Sequence, residues 1–233
     1  MRSDLPTRAL LVGGIRLSLD DEVEKAFAFA RRKLKKCGIA QAPAFCKLYK
    51  KSIDARRRDD PHFVCTILAA FPAELRLPSP ASLSSAGIRV LNEETPEPSF
   101  GTTPIRERPM VVGMGPAGLF AALLLAQNGY APILIDRGAS VEERARDTET
   151  FFRDGALDPD SNVQFGAGGA GTFSDGKLVT RIHDPLCRSV LETFVRFGAP
   201  EEILVKAKPH VGTDLLRGIV SGILDEITGS AVA

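Results

Sequence analysis

A glycine-rich turn between a short apolar strand and an alanine-rich helix constrains this 233-residue chain more than any other feature. The strand covers residues 110–112, the turn runs from Gly113 to Gly118, and the helix follows to Gln127. In such a turn the first glycine permits the sharp change of direction, the second lets backbone approach a pyrophosphate, and the third lets the helix lie close to the strand. The helix N-terminus offers unpaired N–H groups to phosphates. The pattern therefore predicts a nucleotide-binding βαβ unit in which Gly113, Gly115 and Gly118 surround a pyrophosphate.

An acidic residue follows the next predicted strand, residues 132–135. Asp136 stands 18 residues after Gly118. A carboxylate there accepts hydrogen bonds from the hydroxyl groups of an adenosine ribose and repels a 2′-phosphate, which disfavours NADP. A GxGxxG sequence alone is weak evidence, but the strand, turn, helix, strand and acid occur here in the order that the motif requires. FAD and NAD share the ADP moiety, so the turn leaves both cofactors open.

A second glycine-rich segment follows between residues 166 and 176, where five glycines occur. Val163, Phe165, Phe173 and Leu178 alternate with these glycines and can anchor the segment. Backbone without side chains can pack closely against a large, flat, phosphate-bearing ligand, which favours FAD. The alternative interpretation is a glycine-rich surface loop that binds nothing.

The N-terminal part of the chain has a different character. Residues 9–19 and 44–53 and 62–71 predict three strands, and a helix with acidic residues at its start and basic residues at its end follows the first strand. Residues 72–109 contain 7 prolines and predict extended or turning backbone. We therefore predict an α/β protein with a small α+β (β-α-β-β) domain at 1–71, a proline-rich connector at 72–108 and a partial Rossmann-type domain at 109–233.

Charge is distributed unevenly along the chain. The first 60 residues hold 15 Lys and Arg against 8 Asp and Glu, although the whole chain has a net charge of only +1. A solvated helix end and a charged hairpin account for this surplus. The alternative is a binding surface for nucleic acid or an acidic partner. Aromatic residues suited to base stacking are not apparent at strand centres, so we expect no nucleic-acid partner.

Composition argues against several classes of protein, namely membrane-spanning, secreted, disulfide-rich and metal-binding proteins. The longest unbroken apolar run covers residues 118–126, about half of the roughly 20 residues that a membrane helix needs. The N-terminus lacks the apolar core of a secretory signal. The four cysteines form no CxxC pair and have no histidines at metal-ligand spacing, so we expect no disulfide framework, no metal site and a cytoplasmic location.

At four places the chain resembles a known family, the uncharacterised FAD-dependent dehydrogenases, also called NAD(FAD)-utilizing dehydrogenases. The matching stretches are residues 51–56, 111–125, 158–178 and 207–214, of which the third is the most specific. The resemblance implies a flavoprotein oxidoreductase with a small N-terminal domain ahead of an FAD-binding Rossmann-type domain. It names neither the small-molecule substrate nor the electron donor or acceptor.

The resemblance also implies which residues contact FAD. Asp136 holds the ribose, Arg137 lies beside the adenosine half, and the second glycine segment runs along the ribityl and flavin portion. The full implied set is Gly113, Gly115, Pro116, Ala117, Gly118, Asp136, Arg137, Gly168, Gly169, Gly171, Thr172 and Lys177. Members of the family are roughly twice as long and carry further strands and a late Gly-Asp motif. We therefore expect the 233 residues alone to bind FAD weakly or not at all.

Candidates for chemistry are few. Lys177 can stabilise a reduced, anionic flavin, or it can be a solvated loop residue. His210 precedes a predicted helix and can move a proton, or it can hydrogen-bond loop backbone. His62 and His183 have no supporting context, and Cys187 is expected to pack as a small apolar group. An NAD-dependent dehydrogenase that uses the same turn remains the alternative enzyme.

Overall fold

The computed structural model describes residues 7–91, 99, 101–182 and 184–230. The chain forms two compact units. The first takes Met1–Pro96 and Leu204–Pro209, and the second takes Glu97–Ile203 and His210–Ala233. With one antiparallel sheet and one small parallel sheet, the protein belongs to the mixed α/β class.

The first unit is a four-stranded antiparallel sheet with two helices. Its elements are β1 (Thr7–Leu17), α1 (Val23–Lys36), β2 (Phe45–Asp54), β3 (His62–Pro72), α2 (Pro80–Ser85) and β4 (Ile88–Val90). The strand order is β2-β3-β1-β4, with antiparallel neighbours throughout. The three predicted strands and the predicted first helix are confirmed. The adjacent glycines Gly13 and Gly14 predict a β-bulge in β1, and the pairing of β1 with β3 shifts register between Val12 and Ile15, which confirms it.

The core of this unit lies between the sheet and α1. The helix buries Ala26, Ala30 and Leu34 against alternate residues of β1 and β3, since one sheet face and one helix stripe are apolar. Residues 80–90 lie within the segment that we predicted to be a connector. They form α2 and β4 instead, and β4 pairs with β1 through Leu10, Leu11 and Val12.

A short segment from much later in the chain completes the first unit. The Lys51 N–H in β2 donates to the Val205 carbonyl at 2.7 Å, and the Ala207 N–H donates to the Lys51 carbonyl at 3.1 Å. Lys51 and Lys206 form a parallel bridge. Two of the stretches that carry the family resemblance therefore meet at the edge of β2.

The second unit contains the glycine turn. Its elements are β5 (Met110–Val112), α3 (Pro116–Gln127), β6 (Ile133–Ile135), α4 (Val141–Asp154), α5 (Pro185–Arg196) and α6 (Thr213–Ser230). β5 and β6 are parallel, with Val111 opposite Leu134. Short 3-10 turns occupy Ala170–Phe173 and Glu201–Leu204. The predicted strand-turn-helix-strand order is thus confirmed.

The core of the second unit is formed mainly by α3 and α6. The buried apolar residues of these helices are Leu119, Ala122, Leu123, Ala126, Leu216, Ile219, Val220, Ile223 and Ile227. The sequence predicts an inward apolar face for α6, and most of its residues are indeed buried; the predicted residues are Leu215, Leu216, Ile219, Val220, Ile223, Leu224 and Ile227. The prediction was wrong for Leu215, which is 46% exposed because it lies one residue away from the Leu216 stripe. Met110 and Val112 of β5 are 63% and 75% exposed, so one face of this two-stranded sheet is open.

Among the described residues, no helix combines the length and the apolar character needed to cross a bilayer.

Candidate functional site

The glycine turn joins β5 to α3 in a conformation that depends on two of its glycines. Gly113 has a φ of 103°, in the left-handed region, and its N–H donates to the Ile135 carbonyl at 2.7 Å. A methyl group at Gly118 would lie 1.8 Å from the Gly113 carbonyl oxygen. Helix α3 can therefore approach the strand only because Gly118 has no side chain. Gly115 caps the helix and Pro116 is its first residue, so the first N–H groups of α3 face the turn.

Asp136 lies across this turn at the end of β6. Its Oδ2 accepts a hydrogen bond from the Met114 N–H at 2.6 Å, and its Oδ1 accepts one from the Gly138 N–H at 2.8 Å. These two bonds fix the orientation of the carboxylate. An ionised carboxylate has about four lone-pair sites, so both oxygens retain capacity for ligand hydroxyl groups. The contact with Met114 was not expected from the sequence.

The second glycine segment packs directly on the first. The Gly168 N–H donates to the Met114 carbonyl at 2.8 Å. Gly169 has a φ of 70°, and a methyl group on it would lie 2.9 Å from Pro116 Cδ and 3.4 Å from Gly115 Cα. Two segments that are about fifty residues apart in sequence therefore form one surface at the N-terminus of α3.

A cleft of about 580 Å³ opens beside these segments. The residues that line it are Val112, Gly113, Gly115, Ile135, Asp136, Arg137, Gln164, Phe165, Gly166 and Gly169. Five of the residues implied by the family resemblance are thus brought together in one place. The Arg137 guanidinium lies 4.5 Å from the centre of the Phe165 ring and 3.7 Å from an oxygen of Asp160. A flat aromatic ring and a flat cation therefore border one end of the cleft.

A second pocket, of about 410 Å³, is lined by Pro116 and Gly168, which are the chain neighbours of two residues that line the cleft, Gly115 and Gly169. Its lining is mainly apolar: Pro116, Gly168, Gly171, Thr172, Ser174, Gly176, Lys177, Leu178, Val179, Thr180, Cys187, Val190, Leu191, Phe194 and Leu216. Five more of the implied residues are on this lining. Gly118 lies beneath the turn, and Ala117 is exposed on the first turn of α3.

Arg144 is the residue that the sequence analysis missed. It projects from α4 into the second glycine segment and is completely buried. Its Nε donates to the Asn162 carbonyl at 2.7 Å and its Nη2 to the Val163 carbonyl at 2.8 Å. Its Nη1 donates to the carbonyls of Ala167 at 2.7 Å and Gly169 at 2.8 Å. The one available signal was its place on the buried face of α4 with Val141 and Thr148, at helical spacing.

The two candidates for chemistry are neighbours in the structure. Lys177 and His210 form an isolated antiparallel bridge, and the Val211 N–H donates to the Gly176 carbonyl at 2.9 Å. The Lys177 ammonium donates to Asp175 at 2.5 Å. This bond lowers the pKa of the Asp175 carboxyl from its usual value and raises the pKa of the Lys177 ammonium. Both side chains are exposed, and so is His210.

The other predicted candidates lie elsewhere or pack as expected. His62 is in the first unit, where its Nδ1 is 2.8 Å from the Asp60 carbonyl oxygen. Cys187 is a free thiol in the lining of the apolar pocket. His183 lies outside the described residues.

Comparisons with known proteins give a relative but no family. No protein-family model matches the chain. A protein of Clostridium beijerinckii, described as an uncharacterized protein, is 42% identical over 220 residues, which are 94% of this chain. The matched region is 40% of that relative's length.

Proposed function

We propose that this chain is the nucleotide-binding part of an FAD-dependent oxidoreductase in the family that its sequence resembles. The observation that carries the proposal is that two glycine segments, identified independently in the sequence, meet around one cleft that ends at Asp136. The contact of Gly169 with Gly115 and Pro116 in that meeting requires a residue without a side chain. Such an arrangement suits a ligand whose phosphates contact backbone N–H groups directly.

The two cavities suggest how such a ligand lies. The cleft bordered by Asp136, Arg137 and Phe165 suits the adenosine half, since it combines a hydroxyl acceptor with flat groups. The N-terminus of α3 suits the pyrophosphate. The apolar pocket beyond Pro116 suits a flat ring such as isoalloxazine. A dinucleotide that crosses the N-terminus of α3 would occupy both cavities.

Chemistry in such a protein is divided between the cofactor and the chain. Bound FAD supplies the electron-transfer step, while the protein orients the cofactor and sets the surrounding charge. In this chain Asp136 binds hydroxyl groups and the glycine segments hold phosphates. Lys177 and Asp175 place an ion pair at the mouth of the apolar pocket, and His210 beside them is the group available to accept or donate a proton.

The proposal is tested by titrating the purified 233-residue chain into FAD and following flavin fluorescence anisotropy. We expect weak but saturable binding, and no stoichiometric 450 nm band after gel filtration. Asp136→Asn should weaken FAD binding about tenfold or more, because a hydrogen bond to a charged acceptor contributes roughly 1.5–3 kcal/mol. The matched control is Asp225→Asn, an exposed residue of α6 in the same unit, which should leave the affinity unchanged.

The same titration with NAD⁺ addresses the alternative enzyme class. The glycine turn and Asp136 suit NAD equally well, but the apolar pocket favours the flavin ring. Tighter binding of NAD⁺ than of FAD would favour an NAD-dependent dehydrogenase. Absence of saturable binding of either cofactor at about millimolar concentration would contradict the proposal.

A further inference from the structure

The buried charge of Arg144 lacks a carboxylate partner in the described part of the chain. Its guanidinium is fully buried, and every hydrogen bond that it makes goes to a backbone carbonyl. The ring of Phe173 lies 4.6 Å from its central carbon. Carbonyl dipoles and an aromatic face solvate a cation but do not neutralise it. A buried, unneutralised charge is costly, so proteins normally pair such a group.

The surroundings of Arg144 coincide with the phosphate end of the candidate site. Gly169, whose carbonyl accepts from Arg144 at 2.8 Å, packs against Gly115 and Pro116 at the N-terminus of α3. Gly166 and Gly169 both line the larger cleft. The positive end of the α3 dipole and the guanidinium therefore act on the same region. The hydrogen bonds from Arg144 to backbone carbonyls also hold residues 162–169 in one conformation.

We propose that Arg144 is the fixed cation of the phosphate site, and that the pyrophosphate of a bound nucleotide is its counter-ion. This inference rests on the proposed nucleotide-binding function and adds the residue that makes the site selective for charge. Arg144 acts through the backbone that it holds, and through its charge, without touching the ligand. It is therefore a positioning residue.

The charges around Arg144 support a role for an anionic ligand. Burial lowers the pKa of the Arg144 guanidinium, and the charge of Asp136 opposes that effect. An arginine nevertheless remains protonated in proteins. Asp136 supplies one negative charge, which is committed to the N–H groups of Met114 and Gly138. A pyrophosphate brings at least two more negative charges near the buried guanidinium, whose Coulomb attraction is screened less than that of a fully solvated charge.

The experiment compares ADP with adenosine as probes, because they differ only in the pyrophosphate. The variants are Arg144→Lys, which keeps the charge, and Arg144→Gln, which removes it. Arg146→Gln is the matched control, since Arg146 is exposed on the same helix. Folding of each variant is checked by thermal unfolding, and calorimetric titration gives the two affinities. Inorganic pyrophosphate is titrated as a third probe.

The expected result is a change in charge selectivity. Arg144→Gln should lower the affinity for ADP and for pyrophosphate about tenfold and leave adenosine binding within about twofold. Arg144→Lys should retain most of the preference for ADP, and Arg146→Gln should match the wild type. Equal losses for ADP and adenosine, or loss of folding in both Arg144 variants, would assign Arg144 to the fold alone and overturn the proposal.

Failure of the inference can be separated from failure of the proposed function. If FAD and ADP bind the wild type and Arg144→Gln equally well, the inference fails and the function stands. If ADP binding depends on Arg144 but FAD binds no more tightly than ADP, the inference stands and the flavin assignment fails. If the wild type binds none of these nucleotides, both fail.

Discussion

At the residue scale, the site depends on side chains that are absent as much as on those that are present. Gly118 and Gly169 each lie where a methyl group would overlap neighbouring atoms, at 1.8 Å from the Gly113 oxygen and 2.9 Å from Pro116 Cδ. The first contact places α3 against the strand, and the second places the glycine-rich loop against α3. Both are needed before Asp136, the N-terminus of α3 and the loop can border one cleft.

Replacement of Gly118 tests this close approach. In Gly118→Ala the new methyl group must displace the Gly113 carbonyl, which is backbone and cannot rotate away. We expect a loss of about 1–3 kcal/mol in the free energy of unfolding, as for other overpacked sites. Nucleotide affinity should fall as well. Both are measured, by denaturant unfolding and by titration.

Gly218→Ala is the control for that variant. Gly218 lies within α6, and apart from the backbone of that helix and its chain neighbours, none of the described residues has an atom within 4 Å of the position that a methyl group would take. Alanine is the better helix former by about 1 kcal/mol, so this variant should be as stable as the wild type or more stable. Equal effects of the two substitutions would show that the contact at Gly118 is not tight in solution.

At the element scale, α4 connects the acidic end of β6 to the buried arginine. Ser140 begins the helix with a capping box: its Oγ accepts from the Glu143 N–H at 3.3 Å, and the Glu143 carboxylate accepts from the Ser140 N–H at 3.2 Å. The Ser140 hydroxyl, which also donates to the Glu143 carboxylate at 2.9 Å, and the Ser140 N–H together lower the pKa of the Glu143 carboxyl. Arg144 follows directly, so the start of α4 determines where the guanidinium enters the loop.

Ser140→Ala should therefore destabilise both α4 and the glycine-rich loop that Arg144 holds. Loss of the cap should cost about 1 kcal/mol in the free energy of unfolding. Amide protection in the loop that Arg144 holds should fall too, as measured by hydrogen exchange. Ser189→Ala, in the middle of α5, makes no cap and should leave both quantities unchanged or slightly increased. If hydrogen exchange of the loop amides is unchanged in Ser140→Ala, the helix cap does not influence the loop.

At the scale of the whole molecule, each of the two units has its own main apolar core among the described residues. The first lies beneath the antiparallel sheet and includes Ile67, and the second lies between α3 and α6 and includes Ile223. Both isoleucines are at most 1% exposed. The candidate nucleotide site belongs wholly to the second unit.

Two unfolding transitions should follow from these cores in a calorimetric scan. Ile67→Ala should lower one transition and Ile223→Ala the other, each by about 2–5 kcal/mol of stability. ADP should raise only the transition that Ile223→Ala lowers, because a ligand stabilises the unit that binds it. A single transition that shifts in all three cases would show that the units unfold together.

Much of the fold could be predicted because its signals are local. The turn at residues 113–118, the helix after it and the acidic residue Asp136 are close in sequence. Each of these residue types is favoured at its position for one main physical reason. An apolar, partly alternating run predicts β1, and a charged turn between two further runs predicts β2 and β3, so these signals also depend on near neighbours. The pairing of β4, by contrast, depends on a three-residue segment, Ile88–Val90, whose own pattern is too short to distinguish it from a loop.

The sequence by itself determined that this chain has a glycine turn suited to a dinucleotide and a second glycine segment. It also determined that an acidic residue, Asp136, follows the turn at the sequence spacing expected of a ribose-binding carboxylate. Only the tertiary structure decided that the two glycine segments touch and that residues 205–207 pair with Lys51. It alone decided that Arg144 is the buried cation behind the loop. The physical reason is that local preferences are encoded within a few residues, whereas burial of a charge and contact between distant backbones arise only when separate elements pack together.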